Sequence, residues 1–223
     1  DEMLTFLSGR AIPGIEGVGD GGYCRTVTVK RGQEVLRGWF RVRNEPEKSC
    51  LAVTLDTNLL PALSKLLARI RVLFDVNCEP YEIYKRISAL NDRLPEAVVP
   101  GLRLPGCFDP FEMSVRAVLG QQITVKAART LAIRFAAVCG QAIETPFKEL
   151  THTFPTYQEI VNIPRPIEDR LGPLGISGAR ARSILVLAEA LADGSITLTQ
   201  HDDPEEEMKK LRALPGFGSW TAH

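Results

Sequence analysis

The sequence predicts an α+β protein: a small mixed domain over residues 1–85, then an all-helical domain over residues 86–223. Three observations carry this. Strand-forming segments crowd into the first third of the chain. They stop at Pro80. Beyond it, apolar positions recur at helical spacing behind Asp-Pro start signals.

Met3 to Ala11 reads as a short amphipathic helix closed by Pro13-Gly14. Tyr23 to Lys30 and Glu34 to Val42 are rich in β-branched and aromatic residues, and the turn Arg31-Gly32-Gln33 joins them as a hairpin. Cys50 to Asp56 alternates and gives a third strand. A helix from Asn58 through Phe74 presents Leu63, Leu66, Leu67 and Ile70 on one face and covers the strands. After a helical stretch at Tyr81–Leu90 comes a Pro/Gly-rich crossing, Pro95 to Pro110. Helices are then expected at Phe111–Leu119, Val125–Cys139, Tyr157–Val161, Ile167–Leu171, Gly178–Ala192 and Pro204–Ala213. Asp109-Pro110 and Asp203-Pro204 place proline at the first helical position, where its missing amide costs nothing.

Composition narrows the function classes. With 44% hydrophobic and 24% charged residues, this is an ordinary globular chain. No apolar run approaches the roughly 20 residues of a membrane-spanning helix, so no membrane partner is expected. The acidic start, Asp1-Glu2, does not fit a signal peptide, and a first residue other than Met points to a trimmed N-terminus. Basic and acidic residues balance at 27 each, which disfavours coating nucleic acid by bulk charge but permits a few local phosphate contacts. The five cysteines, Cys24, Cys50, Cys78, Cys107 and Cys139, never form Cys-x-x-Cys and read as reduced structural thiols of a cytoplasmic protein. The three histidines have no partner at metal-ligand spacing, which argues against a zinc enzyme.

The most informative stretch is Leu214-Pro-Gly-Phe-Gly-Ser-Trp-Thr-Ala222. Pro215 ends the preceding helix, and Gly216 and Gly218 let the backbone turn sharply and approach another surface. Ser219-Trp220-Thr221-Ala222 then opens a second helix, whose first-turn amides can meet a phosphate without any lysine.

This stretch does not stand alone. With Gly101-Leu-Arg-Leu-Pro-Gly-Cys-Phe-Asp-Pro-Phe-Glu112, Val115-Arg-Ala-Val-Leu-Gly-Gln-Gln122 and, more weakly, Met3 to Ala11, it resembles the bacterial 3-methyladenine DNA glycosylase II family. That family lies within the helix-hairpin-helix DNA glycosylase superfamily. The resemblance implies a TBP-like N-terminal domain and a helix-hairpin-helix domain that here ends inside its hairpin. It also implies base-excision repair: a monomeric, cofactor-free enzyme flips an alkylated purine out of double-stranded DNA and hydrolyses its N-glycosidic bond. Gln122, with Gln121 beside it, matches the side chain that wedges into the vacated stack. Trp220 and Phe6 match aromatic residues of the base pocket, and Arg10 borders the same cleft. Gly216, Phe217, Gly218, Ser219, Trp220 and Thr221 form the phosphate-binding hairpin. The catalytic aspartate is expected beyond His223, and none of Asp109, Asp202 or Asp203 matches it, so no catalytic residue is assigned within the chain. Two alternatives stay open at this point: a non-catalytic helix-hairpin-helix DNA-binding module, and the glycosylase part of a larger adaptive-response regulator.

Overall fold

The computed structural model describes residues 2–95, 97–199 and 203–222, except for the side chain of Trp220. Helix α1 (Glu2–Arg10) leads into a four-stranded antiparallel meander, β1 (Glu16–Gly19), β2 (Gly22–Arg31), β3 (Glu34–Glu45) and β4 (Cys50–Leu55). The expectation of three strands missed β1, a short Glu-Gly-Val-Gly segment with little strand propensity. It pairs with β2 through a two-residue turn, Asp20-Gly21, with φ of +48° and +67°. Asp-Gly suits that turn because both central residues must be left-handed.

The register puts Tyr23, Arg25, Val27 and Val29 of β2 on the same face as Val42, Phe40, Gly38 and Leu36 of β3. This face packs on α2 (Leu63–Leu73), burying Tyr23, Val27, Val29, Phe40, Leu66 and Ile70 in one core. The helix expected from Asn58 begins instead as a 3-10 turn, Thr57–Ala62. Pro61 lacks the amide that an α-helical hydrogen bond needs, and the Asp56 carboxylate caps the turn by accepting from the Asn58 amide at 2.9 Å.

The opposite face of the sheet meets a non-helical segment around residues 142–154. Thr26 Oγ1 donates to the His152 carbonyl at 2.6 Å, and Trp39 lies edge-on to Phe147 with centroids 5.1 Å apart.

α3 (Pro80–Ile87) buries none of its side chains. The crossing that follows is tied to the end of α2. The Gly106 amide donates to the Leu73 carbonyl at 3.0 Å, and a Cβ on Gly106 would lie 2.3 Å from the Val72 carbonyl oxygen. Only glycine fits there, which accounts for one residue of the Leu104-Pro105-Gly106 block.

The rest is helical: α4 (Pro110–Gly120), α5 (Val125–Cys139), α6 (Tyr157–Val161), α7 (Ile167–Leu171), α8 (Gly178–Asp193), α9 (Pro204–Ala213) and α10 (Ser219–Ala222). Asp109 caps α4, Thr124 caps α5, Thr156 forms a capping box with Glu159 on α6, and Asp203 caps α9. Val115, Val118, Leu119, Phe135, Ile160, Leu171, Ile184 and Leu187 bury themselves in a second core. Ile12 and Ile15, which precede the sheet, pack into this helical core, whereas Phe108 packs into the first. The two halves are therefore stitched together by their own connecting segments.

Candidate nucleic-acid interface

The sequence-matched residues fall on two neighbouring segments and one helix. The first segment is the turn between α4 and α5. Gln121 ends α4, Gln122 is exposed with a left-handed backbone at φ +53°, Ile123 packs against the helical core, and Thr124 caps α5 by accepting from the Ala127 amide at 3.2 Å. A left-handed conformation at a non-glycine residue is strained, and it persists here because the residues on either side are fixed.

The two glutamines have different surroundings. The Gln121 side chain turns inward, and its Nε2 donates to the Gly216 carbonyl at 2.8 Å and to Thr221 Oγ1 at 3.0 Å. Its own carbonyl accepts from the Arg180 guanidinium. Gln121 is thus occupied as a brace, leaving Gln122 as the outward side chain.

The second segment is the hairpin between α9 and α10. Leu214 and Phe217 point inward, and Phe217 is buried in the helical core. The Phe217 amide donates to the Leu214 carbonyl at 3.1 Å, and the Thr221 amide donates to the Gly218 carbonyl at 3.0 Å. Gly216 has φ +85°, and a Cβ there would lie 2.0 Å from Ser183 Oγ on α8. Gly218 is different: among the described residues, nothing lies within 4 Å of where its Cβ would be. Among those residues, none accounts for glycine at this position. Gly218 and Ser219 are the outward part of the hairpin, while Phe217 and Thr221 hold it in place. The Trp220 side chain lies outside the described residues, as do His201, Asp202 and His223.

On α1, Phe6 is 40% exposed, and the Arg10 guanidinium lies over its ring at 3.7 Å from the centroid. An exposed, stacked ring is not a core residue. The carboxyl end of α1 is fastened to the helices that flank the Gln121–Thr124 turn. Arg116 of α4 donates to the Arg10 carbonyl at 3.1 Å, and Arg129 of α5 donates to the Ala11 carbonyl at 2.8 Å.

Behind these segments lies a buried ionic cluster that the sequence reading missed. Arg25 of β2 pairs with Glu112 of α4 at 2.6 Å and with Glu16 of β1 at 3.7 Å. Arg116 bonds both Glu16 and Glu112, and the Tyr23 hydroxyl donates to Glu16 at 2.6 Å. Burial would raise the Glu16 pKa, but the two arginines and the tyrosine outweigh it and hold the carboxyl below its ordinary value. Burial and the Glu16 charge push the Tyr23 hydroxyl well above its ordinary range. Two clues were legible: Glu112 and Arg116 stand one helical turn apart, and Arg25 is the one charged residue in the apolar and polar run from Tyr23 to Val29, with Lys30 and Arg31 only at the strand's end. Burial also raises the thiols of Cys24 to about 11, Cys107 to about 12 and Cys139 to about 11, so they stay protonated at neutral pH.

This architecture is that of DNA glycosylases. A 3-methyladenine DNA glycosylase from Archaeoglobus fulgidus superposes with a TM-score of 0.68 at 21% identity, covering 99% of this chain and 72% of that one. MBOgg1, solved with a low-affinity DNA ligand, superposes with a TM-score of 0.65 at 22% identity over 98% and 69% of the two chains. At these identities the likeness speaks to fold alone. Sequence goes further. Residues 1–109 match the AlkA N-terminal domain family. The chain is 35% identical over 221 residues to DNA-3-methyladenine glycosylase 2 of Escherichia coli, spanning 99% of itself and 73% of that protein. It is also 36% identical over 222 residues to the "Probable bifunctional transcriptional activator/DNA repair enzyme AlkA" of Mycobacterium tuberculosis, of which it spans 42%. The chain belongs to the DNA-3-methyladenine glycosylase 2 family.

Proposed function

We propose that this chain forms the damage-recognition part of a monofunctional DNA-3-methyladenine glycosylase that removes alkylated purines from double-stranded DNA. The observation that carries the reading is Gln122, an exposed side chain on a strained backbone, held between pinned neighbours beside an outward glycine turn. A polar wedge at this position can fill the gap left by a flipped nucleotide and hydrogen-bond the orphaned base. Gly218 and Ser219 offer close backbone approach to a phosphate, and Phe6 with Trp220 supplies aromatic surface for the base. A purine alkylated at N3 or N7 is cationic, and an aromatic face attracts a cation by roughly 0.5–2 kcal/mol, which favours it over a neutral purine. The protein acts as a cytoplasmic monomer. The division near residue 85 separates the unit bearing Phe6 and Arg10 from the unit bearing the wedge and hairpin.

Hydrolysis needs a carboxylate to stabilise the oxocarbenium-like sugar or activate water. We place that aspartate beyond His223. An excision assay on methylated duplex DNA, run with residues 1–223 beside the full-length protein, tests both claims. The full-length protein is expected to release 3-methyladenine and the shorter chain is not. Release by residues 1–223 would place the catalytic carboxylate within them, and inactivity of both would favour a non-catalytic binding module. A second reading, the glycosylase part of a larger regulator, is supported by the match to the mycobacterial protein, of which the chain spans 42%.

A further inference from the structure

We infer that Gln121 and Arg180 are positioning residues, a brace that fixes the turn bearing Gln122 and the Leu214–Ala222 hairpin as one rigid unit. The inference rests on the reading of Gln122 as the wedge.

The geometry has three parts. Gln121 bridges the segments with two donated hydrogen bonds, 2.8 Å to the Gly216 carbonyl and 3.0 Å to Thr221 Oγ1. These ends are about a hundred residues apart in sequence, so the bond couples elements that the chain itself leaves independent. Arg180 then fixes the Gln121 carbonyl from α8. That carbonyl belongs to the peptide leading into Gln122, so its orientation bears directly on the left-handed φ of +53° there. Finally, Ser183, one turn beyond Arg180 on α8, lies directly under Gly216, where a Cβ would come within 2.0 Å of its Oγ. One face of α8 therefore supports both the turn and the hairpin.

Such an arrangement matters for extrusion of a base. The wedge must enter the stack while the hairpin holds the flanking strand, so the distance between them must not relax when DNA pushes back. A brace between two DNA-facing segments supplies that stiffness without itself touching DNA. Misplacement of a reacting or inserting group by about 1 Å can cost up to about a hundredfold.

The test uses the full-length protein and a duplex carrying 2-aminopurine beside a non-hydrolysable abasic analogue, read as the fluorescence change on extrusion. Gln122→Ala is expected to lower the extrusion equilibrium by about tenfold or more. Gln121→Ala and Arg180→Met should each lower it by a similar factor, while Arg180→Lys, which keeps a donor toward the carbonyl, retains most of it. Gln121→Glu preserves size but turns an acceptor toward the Gly216 carbonyl, so it should fail like Gln121→Ala. It also keeps the question open should the alanine variant misfold. The decisive comparison is Gln121→Ala combined with Gln122→Ala. A positioning residue acts through the wedge, so the double variant should lose no more than Gln122→Ala alone. Multiplicative losses, or a Gln121→Ala protein that extrudes normally, overturn the inference while leaving the wedge intact. A Gln122→Ala protein that extrudes normally removes the wedge reading and the inference together.

Discussion

At the scale of single residues, the buried ionic cluster concentrates the free energy most sensitive to substitution. Arg25 is 3% exposed and makes its closest ion pair with Glu112. Removing one member of a buried pair leaves its partner charged in a poorly solvated site, which costs about 3–5 kcal/mol. Arg25→Met is therefore expected to lower stability by that order in urea unfolding, as is Glu112→Gln. The double variant should cost less than their sum, because the second change no longer breaks an intact pair. The same cluster imposes a pH dependence. Glu16 sits below the ordinary carboxylate value of 4.5 in the folded protein, so at low pH the unfolded chain binds the proton first. Its contribution is complete above pH 4.5 and is lost as pH falls from there through the lower folded value. Glu16→Gln should flatten the acid limb of thermal stability against pH, and an unchanged limb would sink this account.

At the scale of elements, the two glycines of the hairpin separate structure from binding. Gly216 has φ +85° and its α-carbon sits against Ser183, so Gly216→Ala strains the backbone and forces a clash. Left-handed strain alone is about 1 kcal/mol and overpacking adds about 1–3 kcal/mol. A Tm loss is expected, relieved only in part by Ser183→Ala because the Ser183 Cβ itself would lie 3.0 Å away. Gly218→Ala meets nothing within 4 Å among the described residues and should leave Tm unchanged while weakening DNA binding. Equal Tm losses for both variants would contradict this separation. Much of the element plan was legible in the sequence because helices with Asp-Pro or Thr caps announce their own start, as at Asp109, Thr124 and Thr156. β1 was not, although Asp20-Gly21 is a strong hairpin signal, because Gly17 and Gly19 hide the strand it serves. Spacing alone could place neither Gln121 nor Arg25. Their roles arise from partners 95 and 87 residues away, and which side chains meet across such distances is decided only by how the elements pack.

At the scale of the whole molecule, a chain with zero formal net charge must hold a polyanion by local contacts. Several arginines around the candidate interface already have partners within the protein: Arg116 the Arg10 carbonyl, Arg129 the Ala11 carbonyl, Arg180 the Gln121 carbonyl, the exposed Arg182 the Glu168 carboxylate at 2.6 Å, and the exposed Arg10 the Phe6 ring. The cations closest in sequence to the turn and the hairpin are Lys126 and Arg212, both exposed. Backbone amides can hold a phosphate, but they carry no net charge and displace few condensed counterions. The slope of log affinity against log salt counts neutralised phosphates at about −0.9 each for duplex DNA. Two such contacts predict a slope of about −2, well short of the roughly −5 to −9 expected for six to ten contacts. Lys126→Ala should shallow the slope by about one unit without altering which lesions are bound. Binding of undamaged duplex, titrated by fluorescence anisotropy between low and moderate salt, measures this directly. A slope steeper than about −5 would mean that bulk charge rather than local geometry holds the DNA.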